Sequence, residues 1–425
     1  MNRRDALRVS ISAFLVSLAA SANSQSLANT KVIVVGAGLS GLAAAQSLQA
    51  RGAEVVILEA GNYVGGRVRT DMTMAAPFEF GAGWIHGPSF RNPTQQLAQQ
   101  VGARTVITDD DSLEVFKPDG TQLSDDEYQR LERVYSKLED ILYHPTAPGR
   151  LSVKEMLARR DPDLLTDPLA RWMLSAFFEF DIGAGIADIS AGNGFESKTF
   201  LGADVVFTEG YDAIIAPLAE GLNIRLNTPV TEIWYDDGEV EVNGMSADYV
   251  ICTAPLGVLK SGAIEFDPPL PEAVQDAIEN IGFGSVTKIA LKFDTPFWDI
   301  DTQYFGILTE TMGRWNYWLN YRTFSHENIL LGLSVGQYAL IADKMSEAAM
   351  TRDAMEVLRS VWGSDVRMPE MVISTRWSQD PHFYGAYSFA QAGGSLAQFD
   401  VFGTAVRKRL FFAGEHTSRD YRGTT

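Results

Sequence analysis

The chain has 425 residues, 46% of them hydrophobic and 21% charged, a composition that excludes wholesale disorder and a fibrous repeat. At roughly 150 residues per domain, this length predicts two or three domains. The formal net charge of −19 argues against nucleic acid as a partner, because an acidic surface repels phosphate backbones and attracts cations.

The first 28 residues have the pattern of an export signal. Arg3 and Arg4 precede a short apolar run over residues 9–20, and residues 20–22 (ASA) offer a cleavage site. The arginine pair resembles a twin-arginine signal, so we expect an exported, periplasmic protein. An ordinary secretory signal and a retained anchor are the alternatives. No later segment predicts a membrane span.

The next segment predicts a β-α-β unit. Residues 31–35 and 54–58 are short apolar strands, and an Ala/Leu helix over residues 39–50 lies between them, ended by Gly52. Strands that are apolar throughout are typical of a parallel sheet covered on both faces.

The pattern then changes twice along the chain. Residues 92–201 have apolar side chains at helical spacing, with capping boxes predicted at Ser124 and Ser152. Between residues 224 and 252 the period becomes two, which predicts a β-meander whose last strand, residues 249–252, returns to the first sheet.

The last third of the chain predicts further strands and one long helix. Strands are expected over residues 288–293, 314–321 and 410–413, and a helix over residues 346–362. In the second of these strands, alternation would place one set of side chains on a common face, namely Trp315, Tyr317, Leu319 and Tyr321. The pattern predicts two interleaved domains, each visited more than once.

Residues 36–41 (GAGLSG) form a dinucleotide-binding fingerprint between the first strand and the first helix. Gly36 permits a tight turn, Gly38 lets the backbone approach a pyrophosphate, and Gly41 lets the helix pack on the strand. Glu59 ends the second strand at the distance where an acid bonds a ribose hydroxyl. The residues expected to contact the dinucleotide here are Gly36, Gly38, Leu39, Ser40, Gly41, Glu59 and Ala60.

A second glycine pair follows in residues 65–70 (GGRVRT). Gly66 and Arg67 would supply a further backbone donor and a positive charge for the pyrophosphate. The arrangement resembles FAD-dependent proteins with two dinucleotide-binding domains, so we expect FAD rather than NAD. The alternative for Arg67 is a surface salt bridge.

Further motifs follow in one order along the chain. They are residues 80–87 (FGAGWIHG), 226–230 (LNTPV), 253–259 (TAPLGVL), 285–289 (SVTKI), 376–377 (RW), 385–388 (GAYS) and 412–418 (FAGEHTS), with Tyr421 after them. Together they resemble the flavin-containing amine oxidase family, nearest to its polyamine oxidase and lysine-specific histone demethylase branch. The absence of a long helical-hairpin insertion and of a basic patch favours polyamine-like amines over histones.

The resemblance implies an α/β (α+β) fold, with a Rossmann-like FAD-binding domain interleaved with a substrate domain of mixed sheet and helices. The expected divisions are a signal over residues 1–28, the FAD-binding domain over 29–91, 202–262 and 401–425, and the substrate domain over 92–201 and 263–400.

The resemblance also implies roles for particular side chains. Lys288 would lie near flavin N5 and hold a water that aids oxygen activation or imine hydrolysis. Trp377 would pack against the flavin ring, and Tyr387 and Tyr421 would flank the substrate nitrogen. The alternatives are a strand-surface lysine and ordinary core aromatics. The other residues implied to contact FAD are Gly83, Trp84, Val230, Gly414 and Glu415.

Two residues are candidates for substrate binding. The resemblance implies that His86 lies at the substrate entrance. Glu179, set among aromatics, would pair with a distal ammonium because a buried carboxylate needs a partner. A hydrogen-bonded structural role is the alternative for His86.

The implied reaction is hydride transfer from the carbon beside a neutral amine nitrogen to the flavin. The imine hydrolyses to an aldehyde and an amine, and O2 is reduced to H2O2. FAD is expected to be non-covalent, because the single cysteine, Cys252, lies in an apolar strand far from the C-terminal motif. Five scattered histidines predict no metal site.

Three alternatives remain open. An L-amino-acid oxidase of the same fold would need an arginine for the substrate carboxylate, with Arg314 and Arg322 as candidates. The second alternative is a flavin-binding protein without oxidase activity. The family pattern continues past Thr425 into a helix that faces the flavin, and without this helix we expect weaker FAD retention and slow turnover. Carotenoid desaturation is the third and fits the Lys288 and Trp377 motifs poorly. The amine, the electron acceptor and the oligomeric state are left open.

Overall fold

The computed structural model describes residues 26–144 and 149–424, so the proposed signal lies almost wholly outside the described residues and stays a prediction. The strands are, in chain order, β1 (Lys31–Val35), β2 (Glu54–Leu58), β3 (Thr70–Asp71), β4 (Phe78–Glu79), β5 (Trp84–Ile85), β6 (Thr105–Ile107), β7 (Leu113–Phe116), β8 (Val205–Phe207), β9 (Asn223–Arg225), β10 (Glu232–Tyr235), β11 (Val240–Val242), β12 (Met245–Ala247), β13 (Tyr249–Cys252), β14 (Glu265–Asp267), β15 (Gly282–Phe283), β16 (Thr287–Lys292), β17 (Tyr304–Ile307), β18 (Tyr317–Asn320), β19 (Ile329–Ser334), β20 (Met371–Ser374), β21 (Ser388–Phe389) and β22 (Leu410–Phe412). The α-helices are α1 (Leu39–Ala50), α2 (Pro93–Gln100), α3 (Asp125–Tyr143), α4 (Val153–Arg160), α5 (Pro168–Met173), α6 (Phe180–Ile182), α7 (Ile215–Ala219), α8 (Leu256–Ser261), α9 (Glu272–Asn280), α10 (Gly336–Ala342), α11 (Glu347–Trp362) and α12 (Ala397–Val401). In these two ranges, no helix has the length and apolar character needed to cross a membrane.

The first sheet is parallel, with its strands in the order β22-β13-β1-β2-β9. The predicted β-α-β unit has the expected bounds, because β1, α1 and β2 cover residues 31–35, 39–50 and 54–58. Val34, Leu42 and Ile57 are fully buried, as the continuous apolar runs predict for a sheet covered on both faces. The last meander strand, β13, pairs with β1 and brings Cys252 beside Val35.

The second large sheet is mixed, in the order β20-β16-β19-β18-β17-β7. Helices α3, α4 and α5 pack over one of its faces, and α10 and α11 contribute to a separate core on the other. The predicted α/β class is therefore confirmed. The predicted capping boxes are present, since Ser124 pairs with Glu127 and Ser152 with Glu155 through side-chain and backbone bonds.

Two expectations about local structure were wrong. Residues 92–201 are not helical throughout, because β6 and β7 interrupt them and pair with β8 and β17. Trp315 does not share a strand face with Tyr317, since β18 begins at Tyr317 and Trp315 has a φ of +42°. Trp315 packs in the core containing α11, and its Nε1 donates to Asp353 at 2.7 Å.

Candidate active site

The glycine-rich turn at the carboxyl end of β1 leaves open space where a ligand can approach. Gly36 has a φ of +100°, and a Cβ at Gly41 would lie 2.1 Å from the Gly36 carbonyl oxygen, so helix and turn are in close contact. A Cβ at Gly38 would meet no atom within 4 Å. Gly38 also begins α1 without a side-chain cap, so the first helix amides are available to an anion.

The second glycine pair and the end of β2 pack around this turn. The Gly65 amide donates to the Ala37 carbonyl at 2.8 Å. The Glu59 carboxylate accepts the amides of Ala37 and Gly61, each at 2.7 Å. A carboxylate has further lone pairs that can accept a ribose hydroxyl. The Thr228 amide donates to the Glu59 carbonyl, which brings the segment ending at the buried Val230 to the same edge. The predicted contact residues that lie together here are Gly36, Gly38, Leu39, Ser40, Gly41, Glu59, Ala60, Gly66 and Val230.

Alanine at two neighbouring glycines should separate folding from dinucleotide binding. Gly38→Ala is expected to change the free energy of unfolding by about 1 kcal/mol or less, because its Cβ points into open space, yet to reduce bound FAD strongly. Gly41→Ala should destabilise the fold as well, because its Cβ would overlap the Gly36 carbonyl. Urea unfolding and the absorbance of bound flavin measure the two effects. Full flavin content in Gly38→Ala would contradict this assignment.

Arg67 and Glu415 form a partly buried ion pair at the same edge. Arg67 Nη1 lies 3.0 Å from Glu415 Oε1 and 2.6 Å from the Ala386 carbonyl oxygen. The other oxygen of Glu415 accepts bonds from the Ser388 and Gly423 amides. Burial alone would raise the pKa of Glu415, but the charges of Arg67 and His416 and the side-chain bonds from Ser388 and Arg67 lower it. The pair joins residues near α1 to the C-terminal motif that contains Gly414.

Lys288 projects from β16 into a small buried pocket. Its Nζ donates to the carbonyl oxygens of Glu79 at 3.0 Å and Gly81 at 2.6 Å, and a Cβ at Gly83 would lie 3.5 Å from it. The Glu79 carboxyl accepts from the Thr70 hydroxyl and the Tyr211 amide. Burial lowers the pKa of Lys288 and raises that of Glu79, so both groups exchange protons more readily near neutral pH than in water.

Lys288 and Trp84 line a small pocket, and beside it a group of aromatic side chains packs together, which we call the aromatic cleft: Trp84, Phe180, Tyr304 and Tyr317. Lys288 Nζ is 5.7 Å from the Trp84 ring centroid. Trp84 packs edge-on against Phe180 at 6.2 Å, and Tyr304 stacks on Tyr317 at 5.0 Å. Electron-rich ring faces of this kind attract organic cations.

Acidic groups surround the same cleft. His86 Nδ1 lies 2.6 Å from Asp204 Oδ2, and the His86 side chain is 63% exposed. Close packing lowers the pKa of His86, but the bond to Asp204 and the nearby carboxylates raise it overall. Asp181 is exposed to water, yet the protein packed around it raises its pKa to about 6. The charge of His86 opposes this rise in pKa, and the charges of Asp204 and Asp110 add to it. The cleft therefore favours a positively charged ligand.

The three predicted aromatic residues take different positions. Tyr387 donates its hydroxyl to the Phe180 carbonyl at 2.6 Å, which places it beside the cleft. A Cβ at Gly423 would lie 3.1 Å from the Tyr387 ring, so the C-terminal segment that contains Tyr421 passes beside Tyr387. The ring of Tyr421 itself stacks on Phe200. Trp377 is buried and donates Nε1 to the Phe80 carbonyl at 2.9 Å, near the Lys288 pocket.

Glu179 contacts a different region from His86. It ends the π-helical turn Leu174–Glu179, and its carboxyl accepts the Ile186 amide at 2.8 Å. The two residues proposed for substrate binding are thus not in contact, and the acids near His86 are Asp204, Asp181 and Asp110. Asp181 and Glu79 are not predicted from the sequence, although Asp181 lies two residues after Glu179 and Glu79 directly precedes residues 80–87.

The arginines considered for a substrate carboxylate are occupied elsewhere. Arg314 bonds to Asp353 and Glu356, and Arg322 Nη1 donates to the His326 carbonyl. Among residues 26–144 and 149–424, no group of three or more His, Cys, Asp or Glu side chains is arranged to hold a metal ion.

Comparison with known proteins identifies the family. The model of the flavin containing amine oxidoreductases matches residues 39–425. The chain belongs to this family. It is 31% identical to polyamine oxidase 4 of Oryza sativa subsp. japonica over 420 residues, covering 92% of this chain and 85% of the relative. It is also 31% identical to lysine-specific histone demethylase 1 homolog 3 of Arabidopsis thaliana, covering 93% of this chain and 29% of that protein.

The fold is shared with solved structures of putrescine oxidase. The wild-type enzyme bound to putrescine has a TM-score of 0.74 and 20% sequence identity, with 93% of this chain and 95% of that chain covered. The predicted family and the predicted Rossmann-like fold are therefore confirmed, and the chain is a member of a flavin-containing family. The domain boundaries and the individual site residues stay predictions.

Proposed function

We propose that this member of the flavin-containing amine oxidoreductases is an FAD-dependent oxidase of polyamine-like amines. The observation that carries the proposal is the aromatic cleft, which adjoins Lys288 and is surrounded by Asp181, Asp204 and Asp110. Aromatic faces and carboxylates together suit an alkylammonium ion. The chemistry that FAD would supply here is acceptance of a hydride from the carbon beside the amine nitrogen and two-electron reduction of O2 to H2O2.

The residues of the chain have separate roles in this proposal. The fingerprint turn, Arg67 and Glu415 would hold the cofactor. The cleft would orient the amine, with a distal ammonium directed to Asp181. A neutral Lys288 has a lone pair that can orient a water molecule, which attacks the product imine and yields an aldehyde and a shorter amine.

Non-covalent binding of FAD is supported by the position of the cysteine. Cys252 is fully buried in β13, and burial raises the pKa of its thiol to about 11, so it is a poor nucleophile. We expect acid precipitation of the protein to leave all the flavin in the supernatant.

A panel of amines tests the function. The purified full chain is mixed without oxygen with putrescine, spermidine, n-butylamine and several L-amino acids, and loss of the oxidised flavin absorbance is recorded. Bleaching by the amines, followed by H2O2 formation when oxygen is admitted, supports the proposal. Bleaching by amino acids alone would favour the amino-acid oxidase. A flavin-loaded protein that no amine reduces contradicts the oxidase assignment.

Removing the charge of Asp181 should weaken binding of diamines more than that of monoamines. Asp181→Asn is expected to raise KM for putrescine about tenfold, because a charge-assisted hydrogen bond is lost, and to change KM for n-butylamine about twofold. In the wild type, KM for putrescine should rise as the pH falls through about 6, where Asp181 becomes protonated. This rise should be absent in the variant.

Asp237→Asn, in an exposed turn, is the matched control and should leave both KM values unchanged. An equal change for diamine and monoamine in Asp181→Asn would exclude a contact between Asp181 and the distal ammonium.

A further inference from the structure

Two side chains from distant segments hold the carbonyl groups of three successive residues. Lys288 Nζ donates to the carbonyl oxygens of Glu79 at 3.0 Å and Gly81 at 2.6 Å. Trp377 Nε1 donates to the Phe80 carbonyl between them, at 2.9 Å. Because the three carbonyls belong to one short stretch of backbone, Lys288 and Trp377 can hold all of them only in one relative position.

The backbones that carry these two donors are joined directly. The Lys288 amide donates to the Thr375 hydroxyl at 2.8 Å, and the Thr375 amide donates to the Lys288 carbonyl at 2.9 Å. Thr375 is 2% exposed and lies two residues before Trp377. This contact continues the pairing of β16 with β20 to the edge of the pocket that Lys288 lines.

A single carboxylate, that of Asp343, joins the same two segments a second time. Asp343 directly follows α10 and is 1% exposed. Its Oδ1 accepts the Thr287 hydroxyl at 2.5 Å, and its Oδ2 accepts the Ser285 hydroxyl at 3.0 Å. Oδ2 also accepts the Ser378 amide at 2.9 Å. We call this group of four residues the Asp343 bridge.

The partners of Asp343 are sequence neighbours of the two donors. Thr287 directly precedes Lys288, and Ser378 directly follows Trp377. A carboxylate that is buried at the carboxyl end of a helix is unfavourable unless hydrogen bonds compensate it. The bonds of the bridge provide that compensation, and they reach both segments through one planar group.

We propose that Asp343 is a positioning residue for Lys288 and Trp377. By joining Thr287 to Ser378, its carboxylate sets the spacing of the two side chains that hold the carbonyls of residues 79–81. The effect on turnover rests on the proposed oxidase function, whereas the coupling of the two segments does not.

Hydrogen–deuterium exchange of the full chain, read by mass spectrometry, tests this coupling without any substrate. The amides of Phe80 and Ala82 are bonded to the Arg69 and Arg67 carbonyls in the wild type. In Asp343→Ala, amides over residues 79–87 should exchange about tenfold faster or more, because the bonds that fix this segment loosen.

Asp343→Asn should restore wild-type exchange, because the bridge depends on hydrogen-bond geometry rather than on charge. The amide oxygen can accept from Ser285 and Ser378, and its NH2 group can donate to the Thr287 oxygen. The Thr287 hydroxyl already has the Ala339 carbonyl as a second acceptor, at 3.0 Å. An asparagine that exchanges as fast as the alanine variant overturns the proposal.

Asp353→Ala is the matched control. The Asp353 carboxylate also accepts bonds from three partners, which are Arg314, Trp315 and Tyr338. Tyr338 lies on α10, so this variant also loosens the helix that precedes Asp343, but none of the three lines the pocket of Lys288. Exchange over residues 79–87 should stay at the wild-type rate, and an equal increase in both alanine variants contradicts a specific role of Asp343.

The kinetic readout separates positioning from substrate binding. With turnover normalised to bound flavin, Asp343→Ala should lower kcat about tenfold and change KM for putrescine less than twofold, because small displacements of reacting groups slow a reaction strongly. Asp343→Asn should recover most of this loss. A wild-type kcat in Asp343→Ala overturns the role in turnover.

Thr287→Val provides a second variant if Asp343→Ala folds poorly. It removes the bond nearest to Lys288 and should cause the same changes at smaller size; unchanged exchange in both variants overturns the proposal. If no amine reduces the flavin but exchange over residues 79–87 depends on Asp343, the oxidase assignment fails and the coupling of the two segments stands.

Discussion

Replacing Lys288 with methionine is expected to lower amine turnover by about 100-fold or more, the range typical for loss of a positioned proton-transfer group. Lys288 is 6% exposed, and its Nζ lies beside the aromatic cleft and contacts the carbonyls of Glu79 and Gly81. Those carbonyls lose a donor in the variant, so the free energy of unfolding should fall by about 1–3 kcal/mol. Steady-state peroxide formation and urea unfolding measure the two effects.

Lys292→Met is a close control for this change. Lys292 lies on the same strand, β16, donates to the Met74 carbonyl at 2.9 Å and pairs with Glu327 at 2.6 Å. It loses comparable bonds but lies outside the pocket of Lys288, so its turnover should stay within about twofold of the wild type. Equal losses of turnover in the two variants would mean that Lys288 acts only through the fold.

The pH dependence gives a second readout of Lys288. Burial lowers its pKa below the usual value of about 10.4, so the neutral amine forms at lower pH than in water. If the neutral form orients water, turnover should rise with pH through an inflection below that value. The inflection should be absent in Lys288→Met and present in Lys292→Met.

Replacing Arg67 with methionine is expected to lower the free energy of unfolding at pH 7 by about 3 kcal/mol and to release most of the flavin. Removing one partner leaves the Glu415 carboxylate, whose side chain is 6% exposed, without its counter-charge. Urea unfolding and the ratio of flavin to protein after gel filtration measure both effects. Arg69→Met, two residues away, is the control, because Arg69 is exposed and lies over the rings of Tyr63 and Phe80.

The effect of Arg67→Met should depend on pH in a definite direction. The folded-state pKa of Glu415 is lowered, so its ion pair stabilises the wild type above the unfolded-state value of about 4.3. This stabilisation is lost as the pH falls through the folded-state pKa. The difference between wild type and Arg67→Met should therefore shrink in acid. A difference that is constant between pH 7 and pH 3 would contradict the ion-pair explanation.

The parallel sheet and its glycine-rich turn could be predicted in detail because their signals are local. Gly36 and Gly41 meet within one turn, and the strand and helix around them have the predicted bounds. The capping boxes at Ser124 and Ser152 are equally local, since each bond spans three residues. Strands β6 and β7 escaped prediction because they are short, and their pairing partners, β8 and β17, lie about 100 or more residues away.

The substrate side depends on side-chain direction, which short-range patterns do not determine. The sequence predicts Glu179 as the partner of a distal ammonium, but the π-helical turn Leu174–Glu179 changes the direction of the residues that follow it. As a result Asp181 lies near His86, while Glu179 faces Ile186 and Gly336. The partner of Lys288 was missed for a similar reason, since 209 residues separate it from Glu79.

By itself, the sequence determined the length and order of the main elements, the dinucleotide fingerprint and the family, because glycine conformation, apolar period and motif order are properties of neighbouring residues. The −19 charge indicated only a preference for cations. The tertiary structure decided where the carboxyl groups lie: Asp181 beside the aromatic cleft and Glu179 against Ile186 and Gly336. Such placements arise from packing between distant segments, which changes both the burial and the pKa of each acid.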